Sequence, residues 1–219
     1  VTNTLRRWIA PLLSLSTNSP FFEGQDTGML SSRTFQFGLF PRTEIPSFLK
    51  SYKDYEDLID KYIRTGTIAK PRQIWWKIRP HYEFNTIEFR VCDVQRSLKN
   101  TEMIIGIVQS LVRTIVKNND YDFDYCYEHL TDALWKASSK NLSSKIIDPY
   151  NNQILTMEEM INTMILYCKD SLEYFGNTYI INSVNNILKN GTEANMQLSI
   201  YNDHGFKKLK KYLMNSVEY

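Results

Sequence analysis

The chain has 219 residues, 42% of them hydrophobic, which is enough to bury a sizeable core and too apolar for a disordered chain. Its 26 basic and 24 acidic residues leave a formal charge of +2, so no global field draws it to nucleic acid or anionic lipid, and any anion site must be a local cluster. Three widely spaced cysteines, Cys92, Cys126 and Cys168, make no metal-ligand pair and fit reduced thiols in a cytoplasmic protein.

Arg6 and Arg7 ahead of the apolar run 8–15 imitate a secretory leader. Pro11 and the lack of a small-x-small cleavage pattern favour instead the end of an apolar helix over 5–15. The opening on Val1 rather than methionine reads as a fragment or a processed product. Residues 16–28, STNSPFFEGQDTG with its leading serine, read as a loop whose glycines match neither GxGxxG nor GxxxxGK. Residues 31–43 interleave Arg33 and Arg42 with aromatics, a weak nucleic-acid signal in a near-neutral chain. Ser51 is placed to cap a helix carrying Tyr55, Leu58, Ile59 and Tyr62 at helical spacing.

Residues 75–93 read WWKIRPHYEFNTIEFRVCD. Two runs rich in β-branched and aromatic residues, 75–79 and 86–93, flank a loop with Pro80 and Asn85, which predicts an antiparallel hairpin. Alternation puts Trp75, Lys77 and Arg79 on one face with Thr86, Glu88, Arg90 and Cys92, and Trp76, Ile78, Ile87, Phe89 and Val91 on the other. A symmetric loop would set Lys77 opposite Glu88. The charged face reads either as solvated cross-strand ion pairs or as a site where arginines meet phosphate or carboxylate and Glu88 meets a metal.

A helix then opens at Asn100 or Thr101 with Ile104, Ile107, Val108, Leu111, Val112 and Ile115 on one stripe. The apolar stretch 103–116 is interrupted by Gln109 and Arg113 and is too short to span a bilayer, so no membrane partner is expected. A further helix over 125–138 carries His129, with no second metal ligand at spacing. Residues 148–153 read as a turn, and Thr156 with Glu159 as a capping box for a helix that Gly176 ends. Another helix reaches Gly191, and the last, from about Phe206, sets an apolar stripe against four lysines. Because isolated hairpins are marginal in water, the sheet is expected to be completed by strands outside this chain.

The strings SLSTNSPFFEGQDTG, SSRT, PRTEIP, RTGTI and WWKIRPHYEFNTIEFRVCD, in this order, closely resemble the glutamate–cysteine ligase type 2 family, the carboxylate–amine ligases. More loosely similar are LWKAS at 134–138, IDP at 147–149 and GTEANMQ at 191–197; a glycine usual in the family is replaced around Asn141. The resemblance implies an α+β, glutamine synthetase-like fold in which part of an antiparallel catalytic sheet is backed by helices, with a helical C-terminal half. It implies one incomplete domain over 1–219, with loop, hairpin and packing helix in 1–116 and the helical part in 117–219. The implied reaction is ATP-dependent: glutamate becomes an acyl phosphate and an amine such as cysteine attacks it, with Mg2+ as the metal.

Carried over residue by residue, the resemblance makes Glu88 the metal ligand and Arg79 and Arg90 the catalytic arginines that meet phosphate. It makes Arg33 a ligand for the substrate carboxylate, and Asn18, Ser19 and Trp76 pocket residues. The GIELE-like and HVHVG-like strands of the family, which bring further metal carboxylates, do not occur in this sequence. The chain is therefore expected to be inactive without a missing N-terminal half or partner chain. The alternative is a non-catalytic interaction module that keeps the fold. No nucleic-acid partner is expected, and a homo-oligomer is compatible with the sequence.

Overall fold

The computed structural model describes residues 1–121, 123–139 and 142–215, and the departure around Asn141 lies outside them. The chain starts with α1 (Thr2–Leu5), a 3-10 turn (Arg6–Trp8) and α2 (Ile9–Ser16). Every residue of α2 is buried, as expected of a helix that is apolar on all sides. Helices α5 (Leu98–Asn118), α6 (Tyr127–Ser139) and α7 (Met157–Tyr167) pack around it. The main core gathers Leu12 and Leu15 with Met103, Ile107, Leu134 and Met160, and extends to α8 (Lys169–Tyr174) and α9 (Ile181–Asn190) through Leu172 and Val184.

The molecule is α+β, with three two-stranded antiparallel ribbons among the described residues. β1 (Phe21–Phe22) and β2 (Gln25–Asp26) form a tight hairpin within the expected loop. Its turn needs positive φ at Glu23 (47°) and Gly24 (76°). Residues 32–38, read from sequence only as an aromatic-basic segment, are a helix, α3 (Ser32–Gly38). Helix α4 (Tyr52–Arg64) starts with the Ser51–Asp54 capping box and buries Tyr55 and Ile59 in a satellite core with Ile68, Ile74 and Trp76.

The central hairpin is shorter than expected, with β3 (Ile78–Pro80) against β4 (Ile87–Phe89). Its register corrects the sequence reading, because Glu88 lies opposite Arg79 rather than Lys77. His81 N donates to Thr86 O (2.7 Å), and Asn85 adopts φ 50°, which closes a compact loop. This moves the pairing by two residues and so leaves each side chain on its predicted face. The extended stretch before β3 pairs elsewhere: Trp75 N donates to Arg42 O (2.8 Å) and Lys77 N to Glu44 O (3.0 Å). On the apolar back, Ile78 and Val91 are fully buried in the core with Met103 and Ile107. Phe89 is only half-buried, and α1 also lies against β3.

The sequence pattern does not show the third ribbon, β5 (Lys145–Ile147) with β6 (Ile154–Thr156), whose connection is the predicted turn. The Thr156–Glu159 capping box forms as expected, and Gly176 (φ 70°) follows α8. The last range, α10 (Glu193–Asn215), is two helical stretches that meet at a kink at Gly205 (φ 70°, ψ 179°), and the second opens at about Phe206, as expected. Among the described residues, no helix is long and apolar enough to cross a membrane.

Candidate functional site

Two polar groups meet along the hairpin. The first surrounds Glu88. Arg79 Nη2 stands 2.7 Å from Glu88 Oε2, and Arg90 Nη1 stands 2.7 Å from Oε1, so one carboxylate is clasped by two guanidinium groups. Arg79 is buried and its Nη1 donates to Ile74 O (3.2 Å), while Phe37 of α3 lies 5.6 Å from the Arg90 guanidinium. The Nε donors of both arginines are buried without an acceptor, and so is Glu88 Oε2, whose approach from Arg79 is an ion pair off hydrogen-bonding geometry. Buried donors without acceptors are costly, so an anion arriving between these arginines would recover what is lost.

Lys77, on the same face, is buried and donates to Thr34 O (3.0 Å). Burial, reinforced by the nearby Arg33 charge, pushes its pKa down to about 8. Arg33, Lys77, Arg79 and Arg90 outnumber Glu44, Glu88 and Asp93 around this side of the hairpin, a small local excess of positive charge in a near-neutral chain.

The second group surrounds Asp93, to which the sequence reading gave no role. Asp93 is buried, its side chain 2% exposed, and its carboxylate accepts from Asn18 N (2.8 Å), Ser19 Oγ (2.8 Å), Ser31 Oγ (3.0 Å) and Arg33 Nε (2.6 Å). Arg33 Nη2 donates to the carbonyls of Val91 (2.7 Å) and Cys92 (2.9 Å), and more distantly to that of Arg90 (3.3 Å). Most of the Arg33 fork thus holds the first turn of α3 onto the stretch 90–93 that follows β4. Asn18 is fixed from the far end of the chain, where Gln197 Nε2 donates to its Oδ1 (2.5 Å), and the Thr17 and Thr192 hydroxyls lie 2.7 Å apart. Ser138 O receives the amides of Leu30 (2.7 Å) and Ser31 (3.0 Å). The strings around Asn18, Ser31, Asp93, Ser138 and Gln197 are far apart in sequence and come together at this one place.

Of the residues singled out from sequence, the structure brings together Arg79, Glu88 and Arg90 as one group and Asn18, Ser19 and Arg33 as another, joined through the Arg33–Arg90 backbone contact. Trp76 stands apart, in the satellite core with its ring 6.0 Å from Tyr55. Asp148 of the IDP string makes a two-pronged pair with Arg7 (2.9 and 2.5 Å), which ties the start of the chain to the β5–β6 turn. Burial raises the Cys92 thiol to about 11 and the Cys168 thiol to about 12, which leaves both unreactive near neutral pH.

Magnesium asks for near-octahedral oxygen coordination. Glu88 is clasped by two arginines, and no group of three His, Cys, Asp or Glu side chains converges among the described residues. These residues do not fit the ion by themselves, and Glu88 could supply one ligand of a larger set.

The profile of glutamate–cysteine ligase family 2 matches residues 1–211. The chain belongs to this family. It is 30% identical over 221 residues to a protein of Solibacter usitatus (strain Ellin6076), which covers 99% of this chain and 57% of the relative. It is 31% identical to a protein of Chloroflexus aggregans (strain MD-66 / DSM 9485), covering 96% and 55%, and 31% identical to one of Gloeobacter violaceus (strain ATCC 29082 / PCC 7421), covering 92% and 55%. All three carry the name "putative glutamate–cysteine ligase 2". The chain spans a little over half the length of these curated relatives.

Proposed function

We propose that this chain is the part of an ATP-dependent carboxylate–amine ligase that carries its phosphate- and carboxylate-binding arginines. In this reading the γ-phosphoryl group of ATP passes to the side-chain carboxylate of glutamate, giving ADP and an acyl phosphate. An amine such as that of cysteine then attacks the acyl carbon, and phosphate leaves. The observation that carries the reading is the pair of buried Nε donors on Arg79 and Arg90, without acceptors, on either side of Glu88. Positioned cations of this kind stabilise charge as it develops on a transferring phosphoryl group.

Arg79 and Arg90 would receive phosphate oxygens. Arg33 would offer the substrate carboxylate the remaining Nη1 of its fork, while Asp93 holds Nε and the carbonyls of Val91 and Cys92 hold Nη2. Asn18 and Ser19 would shape the wall of the pocket through the same Asp93 contacts. In a glutamine synthetase-like arrangement, strands outside this chain would complete the sheet, and their carboxylates would share Mg2+ with Glu88. The chain alone would then be inactive, and the complete enzyme would work in the cytoplasm.

The test is to combine the chain with the N-terminal half of a relative and measure ADP release with glutamate and a panel of amines. ADP release that requires both substrates supports the ligase. A stable complex without ADP release for any amine refutes it in favour of an interaction module. In the active complex, Arg33→Lys is expected to raise KM for glutamate with little change in KM for ATP, because lysine keeps the charge but cannot hold Asp93 and the 91–92 carbonyls while offering a free nitrogen to the substrate.

A further inference from the structure

Beyond the arginine-clasped glutamate, a groove runs outward along the loop end of the hairpin. One cavity of about 350 Å3 is lined by Lys70, Arg72, Arg79, Tyr82 and Phe84, among others. An adjoining cavity of about 330 Å3 shares Lys70 and Arg72 and reaches Trp75. Lys70 and Arg72 flank Pro71 on the 3-10 turn Pro71–Gln73, both are exposed, and neither forms an ion pair among the described residues. Glu83 is the carboxylate in the lining, and the Arg79 charge is already engaged with Glu88. Phe84 is 68% exposed, yet its ring stacks on His81 at 4.4 Å and 19° instead of packing into the core.

Unpaired cations beside an exposed, stacked ring pair fit a ligand that combines phosphates with a flat base. Arg79 belongs both to this groove and to the group around Glu88, so a ligand lying along the groove would direct its terminal phosphate toward the site. A single nucleotide fits better than a nucleic-acid strand, because the chain's charge of +2 provides no long-range field for a polyanion.

We propose that the Lys70–Arg72 groove binds the nucleotide of the ligase, with phosphates against Lys70, Arg72 and Arg79 and the base on the His81–Phe84 ring pair. This rests on the ligase reading and assigns it residues that neither the resemblance nor the comparisons single out. The experiment is calorimetric titration of the 219-residue chain with ATP, adenosine, inorganic tripolyphosphate and a short oligothymidylate, for wild type, Lys70→Gln/Arg72→Gln and Phe84→Ala. Lys70, Arg72 and Phe84 are all exposed, so the variants should fold, and far-ultraviolet circular dichroism checks that they do.

The double variant is expected to weaken ATP and tripolyphosphate by about tenfold or more and to leave adenosine unchanged. Phe84→Ala is expected to weaken ATP and adenosine and to spare tripolyphosphate. The proposal is overturned if wild type does not bind ATP, if both variants bind ATP as wild type does, or if oligothymidylate binds more tightly than ATP. The ligase reading fails by a separate measurement, the absence of ADP release from the combined enzyme.

Discussion

Replacing Asp93 with asparagine keeps the side-chain shape but removes the charge that Asn18, Ser19, Ser31 and Arg33 all address. Removing one partner of a buried ion pair costs about 3–5 kcal/mol. Here Arg33 is 38% exposed and water can solvate part of its charge, so the cost drops to about 2–3 kcal/mol. With a urea slope of about 2 kcal/mol per molar, the unfolding midpoint should fall by about 1–1.5 M. Equilibrium unfolding followed by tryptophan fluorescence and by circular dichroism tests this, and coincident curves establish a two-state comparison. Arg33→Gln and the double variant close a mutant cycle, with an expected coupling of about 1–2 kcal/mol. A midpoint shift below about 0.3 M for Asp93→Asn, or strict additivity in the cycle, would refute the argument that this pair fastens the first turn of α3 to the stretch after β4.

The face assignment of the hairpin is checked by size. Ile78→Ala, at a fully buried position, should cost about 2–5 kcal/mol, and Phe89→Ala, at a half-buried one, about 1–2 kcal/mol; a cost below about 1 kcal/mol for Ile78→Ala would mean the faces are misassigned. Lys77 should leave a pH signature, because its folded-state value near 8 lies below the ordinary 10.5. Between those values the unfolded chain holds a proton that the folded chain has released, so stability rises with pH across the window, by up to about 3 kcal/mol at 1.36 kcal/mol per unit. Below about pH 8 the full cost of burying the charge remains, so Lys77→Met should be more stable than wild type there and should lose the upward slope; urea midpoints with parallel pH trends would contradict this. Glu88→Gln leaves the buried Arg79 without its counter-charge and should lower stability by about 1–2 kcal/mol without any metal present, and an unchanged melting curve would show that Arg79 is solvated.

Much of the local structure follows from the sequence alone, because its causes are local. The Ser51 and Thr156 capping boxes, the apolar stripe of α5, the glycine after α8 and the alternation of the hairpin all depend on residues within a few positions of each other. The same alternation placed Arg79, Glu88 and Arg90 on one face, and the strings that resemble the ligase family were legible without any structure. The tertiary structure decided everything that depends on distant partners. A symmetric-loop assumption slid the register by two, because the closing bond between His81 and Thr86 was not visible in the pattern. The run 5–15 looked like the end of a helix, and only the helices packed on all sides show α2 at the centre of the core. Asp93 gave no signal of its own, since one acid at the end of a strand is unremarkable until Asn18, Ser19, Ser31 and Arg33 arrive from sequence positions about 60 to 75 residues away. Spacing encodes local contacts, whereas the partners of a buried charge are set by how the chain closes on itself.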